Sequence, residues 1–449
     1  MNITLDQPTP TDGVIKITLG ETDYLPKVEE KVREYSRKMN IKGFRTGKVP
    51  TGVVKKMYGR SILVEEVNHL LSHSVSDYIK EKKLTVLGDP IPNHEKARQI
   101  DWDNQKDFEF EFQIGLVEPF TVDLSPKVKL TSYQIEVDQK VINEAIEDMK
   151  RRFGTVSNPE VSAAGDNLFG EITMADGSTK SSYVQIEKLS KGEQKKFLGL
   201  KKEDTVTFDI EKLSDDAAVL SRIMNVTEEE VKNLKGSYTL KVTSISHMVP
   251  AEMNQELFDK VFGKDVVKSE EEFINKIRET ISENYQRESN HLLEHEIQHH
   301  LVDHTAVNMP DHFLKAWLKS TGDGQITDEV IGKEFEDYKK GLKWDLIKNR
   351  IAELHTINVE TADVRERAKQ LIAQQFGGPA IIEQLGDKFN AIADNYLSGQ
   401  DGKGENFMRV YNQLRHEKIM AIAKEKITVT GKKVTLDEFK KAAEAHAHE

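Results

Sequence analysis

The sequence contains no cysteine among its 449 residues. That removes disulfides and thiolate chemistry and is consistent with a reducing compartment. It has no run of about 18 apolar residues, the length a membrane-spanning helix needs. The opening Met1-Asn2-Ile3-Thr4-Leu5-Asp6 lacks the basic start and apolar core of a secretory signal. A soluble, cytoplasmic protein without membrane contact is expected. Positive charge is also in deficit: 64 Lys and Arg face 76 Asp and Glu, for a net charge of −12. Such a balance argues against DNA binding or a general nucleic-acid binder held by a basic surface, so any RNA contact must be local. The length exceeds one average domain and gives ample material for several cores.

The apolar pattern divides the chain. Val14, Ile15, Ile17 and Leu19 read as a strand ending at Gly20. Leu25, Val28, Val32, Tyr35 and Met39 then recur at helical spacing from about Asp23 to Asn40, and Val53, Val54, Met57, Ile62, Val67 and Leu70 form a second stripe after Pro50. A short strand near Leu84 to Leu87 follows. Phe108-Glu109-Phe110-Glu111-Phe112-Gln113-Ile114 alternates without a slip, so its aromatics share one face, read as core. Residues 1–115 are therefore expected to form an α+β domain, with helices on one face of a small antiparallel sheet. Glu118 to about Thr131 is punctuated by proline and reads as an extended linker, and with the helix carrying Val141, Ile142, Ala145, Ile146 and Met149 it makes up residues 116–159. Residues 160–247 have strand-length runs, with a hairpin signal at Asp176-Gly177, and read as a small, mainly β domain. Residues 248–449 read as almost wholly helical and strongly charged, with stripes such as Phe273–Ile281, Phe313–Leu318, Trp344–Leu354 and Val410–Ile422 and a frayed polar tail from Lys440. The fold class expected is an α+β multidomain protein.

Between the first two helices lies Gly43-Phe44-Arg45-Thr46-Gly47-Lys48-Val49-Pro50. Two glycines bracket an exposed aromatic and two cations, an arrangement that invites a partner. This string resembles the ribosome-docking signature of bacterial trigger factors, chaperones of the ribosomal exit tunnel, and Val86-Leu87-Gly88-Asp89-Pro90 also looks like that family. The resemblance implies ribosome-binding roles for Gly43, Phe44, Arg45, Gly47, Lys48 and Pro50. Thr46 stands where the family usually has a further lysine, so docking with one cationic contact fewer is implied. The partners implied are the large ribosomal subunit at the exit tunnel and nascent or unfolded polypeptides, held in a helical cradle without ATP or any cofactor. A homodimer off the ribosome is left open.

In trigger factors the middle domain resembles FK506-binding prolyl isomerases, which enclose a proline in an aromatic pocket and withdraw water from the amide. The family has a segment of Ile-Pro-Gly-Phe-Glu type. Here the corresponding run is Glu193-Gln194-Lys195-Lys196-Phe197-Leu198-Gly199-Leu200, of which only the frame survives. The isomerase region, Phe169, Tyr183, Phe197 and Leu198, is therefore expected to be degenerate, its aromatics ordinary core, and the protein to lean away from being an enzyme.

A different class of function is suggested by His295-Glu296-Ile297-Gln298-His299, which has the spacing of a zinc hydrolase helix with the glutamate as base. The reading preferred is a surface histidine cluster with no catalytic metal. Gly322–Thr327 echoes a calcium loop, but Lys319 and Val330 fall where carboxylates are required. Gly43–Lys48 echoes a phosphate loop, but Val49 replaces the hydroxyl residue, so no nucleotide site is expected.

Overall fold

The computed structural model describes every residue except 41–43, 45–46, 175–176, 323–324, 376–384, 400–401 and 448–449. Gly43, Arg45 and Thr46 of the tip, Asp176 of the hairpin signal, and Asp323 and Gly324 of the discarded calcium loop thus lie outside the described residues. In chain order the elements are strands β1 (Asn2–Asp6) and β2 (Asp12–Leu19), helices α1 (Glu21–Lys38) and α2 (Thr51–Glu81), β3 (Val86–Pro92), α3 (His94–Arg98), β4 (Phe108–Leu116) and β5 (Lys129–Ile135). Next come α4 (Gln139–Arg152), β6 (Thr155–Ser157), β7 (Asp166–Thr173), β8 (Thr179–Gln185), α5 (Lys191–Gln194), β9 (Thr205–Asp209), α6 (Ile210–Leu213), α7 (Ala217–Met224), α8 (Glu228–Val231) and β10 (Ser237–Val249). The remainder is α9 (Gln255–Phe262), α10 (Glu270–His304), α11 (Asp311–Thr321), α12 (Asp328–Leu354), α13 (Thr361–Gln375), α14 (Asp387–Ser398), α15 (Glu405–Lys426), β11 (Thr428–Val434) and α16 (Leu436–Ala447). Among the described residues no helix is long and apolar enough to cross a membrane. The chain is an α+β multidomain protein.

One compact unit comprises Met1–Thr131 and Leu293–Thr430. Its N-terminal sheet has the order β1-β2-β4-β3, antiparallel throughout, with Ile17 opposite Phe110 and Leu19 opposite Phe108. Alternation puts Ile15, Ile17, Phe108, Phe110 and Ile114 on one face, where α1 and α2 bury them under Val28, Val32, Val54, Ile62 and Val67. The Asp23 carboxylate caps α1 by accepting from Gly20 N–H at 2.8 Å, and Arg37 and Lys38 close its last turn, as the helix dipole favours. Two residues of the expected stripes turn outward. Leu25 is exposed because the buried row is Tyr24, Val28 and Val32 at steps of four, with the Tyr24 hydroxyl donating to Lys106 O at 2.8 Å. Met57 is exposed because Val54, Tyr58 and Ile62 take the equivalent row.

The opposite face of this sheet is covered locally by α11. A Cβ at Gly115 would stand 2.4 Å from a Phe313 ring carbon and 2.7 Å from Pro310, and one at Gly88 would stand 2.9 Å from the Trp317 indole. The glycines let the helix approach, while Leu87 inserts beside Leu314, Leu318 and Leu342. The rest of the unit is helical. Leu293, Ile297 and Leu301 of α10 meet Trp344, Ile347 and Ile351 of α12 and Ile419, Met420 and Ala423 of α15, and α13, α14 and α15 share a further core around Phe389 and Val410. The stretch expected to be a linker does not behave as one. Phe120, Val122 and Leu124 pack onto the core of α10, α12 and α15, so alternate side chains bury themselves although no strand forms there. After it comes β5, which pairs with β11, a short strand in the otherwise helical C-terminal region that the sequence pattern did not indicate. Thr428 N–H donates to Val128 O at 2.9 Å at the start of that pairing.

The second unit is Ser132–Leu292 with Gly431–Glu449. Its sheet runs β6-β10-β7-β8, with β9 also paired to β10, and all these pairs are antiparallel. Leu168, Ile172, Val184, Leu240, Val242 and Ile245 form the inner face, closed by Leu220, Ile223 and Met224 of α7. A second core joins Ile142 and Ile146 of α4 to Leu257 and Phe258 of α9 and Phe273 and Ile277 of α10. The tail is not frayed where described. It forms α16, and buried Phe439 sets its ring 6.0 Å from Tyr133.

Candidate functional site

The tip between α1 and α2 is built from its base outward. Met39 N–H closes α1 on Tyr35 O at 2.8 Å, and the returning chain is pinned by the Ser36 hydroxyl donating to Val49 O at 2.5 Å. Val49 is 2% exposed, so one apolar residue of the tip anchors it to the core. Gly47 sits at φ +79°, where a side chain would be strained, and a Cβ there would meet Arg37 O at 3.3 Å. Beyond this base Phe44, Lys48 and Pro50 are exposed, Phe44 at 39%. Charges on the flanking helices are matched: Lys38 meets Glu34 at 2.5 Å, Lys55 meets Glu29 at 3.4 Å, and Lys31 meets Glu66 at 3.6 Å. The hydrogen bond from Lys38 holds the Glu34 carboxyl below its usual range, and Glu66 raises the Lys31 ammonium. Lys48 has no carboxylate partner among the described residues. An exposed aromatic and a cation without a carboxylate partner among the described residues therefore belong to one loop with a braced base.

In the second unit the four residues of the isomerase region do not assemble into one wall. Phe197 is fully buried, 5.8 Å from Phe208, while the next residue, Leu198, is exposed. Phe169 and Tyr183 are cross-strand partners with rings 4.9 Å apart, but they lie on the outer face, and Phe169 is 42% exposed. The expectation that these two are ordinary core is corrected. Leu168 and Ile172 hold the inward phase of β7, which forces Phe169 outward. The charged run folds on itself: Lys196 pairs with Glu193 at 2.8 Å, and Gln194 donates its amide to Leu189 O at 2.9 Å. Sequence reasoning missed the buried Asp166, which accepts from Ala163 N–H at 2.7 Å and lies 2.5 Å from His247 Nδ1. No local signal at either end links residues 81 positions apart.

On α10, His295 and His299 stack nearly parallel with ring centroids 6.2 Å apart, and His299 Nδ1 pairs with Asp303 at 3.1 Å on the next turn. Among the described residues no group of three or more His, Asp or Glu side chains is placed to hold a metal, and the hydrolase alternative gains no support.

Three family models match the chain in sequence. The bacterial trigger factor protein model covers residues 1–149, the probable trigger factor FKBP-like domain residues 156–250, and the probable trigger factor C-terminal domain residues 289–443. The chain belongs to the trigger factor family. The trigger factor of Pelagibacter ubique is 21% identical over 99% of this chain and 90% of its own length. That of Chlorobaculum parvum is 23% identical over 94% of this chain and 95% of its own. The trigger factor of Rickettsia rickettsii is 29% identical over 149 residues, 33% of this chain and 32% of its own. Together the three models cover most of the chain, from β1 into α16.

Proposed function

We propose that this trigger factor is an ATP-independent cytoplasmic chaperone that docks at the ribosomal exit tunnel through Gly43–Pro50 and shields nascent or unfolded chains against its helical region. The observation that carries this reading is the braced tip, with Phe44 and Lys48 exposed beyond buried Val49. An exposed aromatic and an exposed cation on one loop suit a surface of ribosomal protein and RNA, since the ring gains by burial and the ammonium by replacing phosphate counterions. On a chain of net charge −12 that attraction has to be local. Residues 1–115 serve as the docking domain, 116–159 join it to the chaperone body, 160–247 are the FKBP-like domain and 248–449 the chaperone region. Docking raises the local concentration of emerging segments near weak apolar surfaces, so binding needs no chemistry.

The test is ribosome co-sedimentation of the parent and the F44A/R45A/K48A variant, with circular dichroism to check the fold. We expect the variant to stay folded and to leave the ribosomal pellet. Co-sedimentation equal to the parent's would overturn the assignment. The FKBP-like domain should be a weak prolyl isomerase or none, because Phe197, Phe169 and Tyr183 do not share a wall. A protease-coupled proline peptide assay giving turnover like a standard FK506-binding enzyme would contradict that.

A further inference from the structure

Helix α2 carries Glu65, His69, His73 and Asp77 at a constant spacing of four, on the side away from the core that Val67, Leu71 and Val75 face. Residues four apart lie one above another on a helix, so the two imidazoles can reach each other in suitable rotamers. Here they converge. The Nε2 atoms of His69 and His73 are 3.3 Å apart, with ring planes at 65°. A tetrahedral zinc ion, with Zn–N bonds of about 2.0–2.1 Å, holds two nitrogens about 3.3–3.4 Å apart. A square-planar ion with similar bonds would need about 2.9 Å. The separation found matches a tetrahedral bite and is also that of the hydrogen bond by which one imidazole donates to the other, so zinc would take the place of the proton the two nitrogens share.

The two corresponding pairs on α10 differ. Both pairs, His295–His299 and His300–His304, stack their rings nearly parallel, at 26° and 18°. Stacked rings direct their lone pairs side by side and not at one point. On α2 the backbone that sets the bite is already ordered, so chelation restricts only two side chains. Glu65 and Glu66 face Lys31 at 4.0 and 3.6 Å, and no third protein ligand is in place among the described residues.

We propose that His69 and His73 form a two-ligand zinc site on α2, its remaining positions filled by water. The ion staples one turn of the helix whose N-terminus bears the docking tip, and by binding the folded helix alone it stabilises that helix by mass action.

The test is calorimetric titration of the full chain with zinc chloride. The parent should take up one equivalent that H69Q/H73Q lacks, and single H69Q should weaken that step at least tenfold because a lone imidazole is no chelate. H295Q/H299Q should retain it. Amide exchange should report the same site: zinc slows exchange around residues 66–77 in the parent and not in H69Q/H73Q, whose helicity in circular dichroism is unchanged. A titration of H69Q/H73Q identical to the parent's, or loss of the step in H295Q/H299Q instead, overturns the proposal.

Discussion

The N-terminal sheet and the FKBP-like sheet are both antiparallel, and each buries one face, yet they place their aromatics oppositely. In β4, Phe108 and Phe110 point inward, while in β7 and β8, Phe169 and Tyr183 point out and Leu168, Ile172 and Val184 fill the core. Alternation sorts residues between two faces; it does not say which face is covered. The competing phase decides. Opposite the aromatics of β4 stand Glu109, Glu111 and Gln113, which cannot be buried unpaired. Opposite Phe169 stand Leu168 and Ile172, and its own phase holds Asn167, Glu171 and Thr173, so one ring is left outside to satisfy two aliphatic residues.

The largest effect should come from the buried ring. Phe108 is 1% exposed, 5.3 Å from Tyr24 and 4.9 Å from Trp102, and its removal leaves a cavity walled by both. F108A should destabilise the N-terminal sheet by about 3–5 kcal/mol, read as faster amide exchange in β2 and β4. A change below about 1 kcal/mol, the size expected for an ordinary surface substitution, would mean that the ring is not a core element.

Next comes the covered patch on the outer face of that same sheet. G115A places a methyl group 2.4 Å from Phe313, and crowding of this kind costs about 1–3 kcal/mol. F313L added to G115A should recover part of the loss, because the clash is with the ring. If G115A is neutral, α11 does not sit on this face, and the N-terminal sheet is as open as the FKBP-like one.

Much of this was legible in the sequence because it is local. The stripes of α1 and α2, the alternation of β4, the hairpin from β7 to β8 and the tip string are all patterns within about 30 residues, and the string also carried the family resemblance. What escaped was set by distant partners. Strand β11, Thr428–Val434, is polar and gains strand structure by pairing with β5, some 300 residues earlier. The supposed linker did carry a signal, since Phe120, Val122 and Leu124 alternate, but its prolines concealed it. Helix α16 depends on Phe439 finding Tyr133. At the tip, residue types suggested a docking role, whereas the brace of Ser36 on Val49 required the fold.

Partial covering should also show in titration. Partial burial pushes the His300 imidazole below its ordinary value, and neighbouring His304 adds to this, against the pull of Asp123 and Asp303. The folded state thus favours the neutral ring. Its contribution is intact above the unfolded value of about 6.5 and is lost as pH falls from there toward the lower folded value. Between pH 7.5 and 5.5 the parent should lose slightly more stability than H300Q, the difference kept small by solvent screening. Parallel urea midpoints across that range would show that the ring is not desolvated.

The smallest effect should be the most informative. Phe169 and Phe197 belong to one region by sequence, but Phe197 is fully buried against Phe208, and Phe169 stands on the outer face of β7 with only Tyr183 beside it. Truncating Phe169 removes a ring that water already reaches and opens no cavity. F169A should therefore change the stability of the FKBP-like sheet by no more than about 0.5 kcal/mol, whereas F197A should cost about 3–5 kcal/mol. Amide exchange of β7 and β10 in the full chain measures both against the same parent. A cost for F169A near that of F197A would mean that the outer face is covered, and the contrast between the two sheets would reduce to a difference in which residues do the covering.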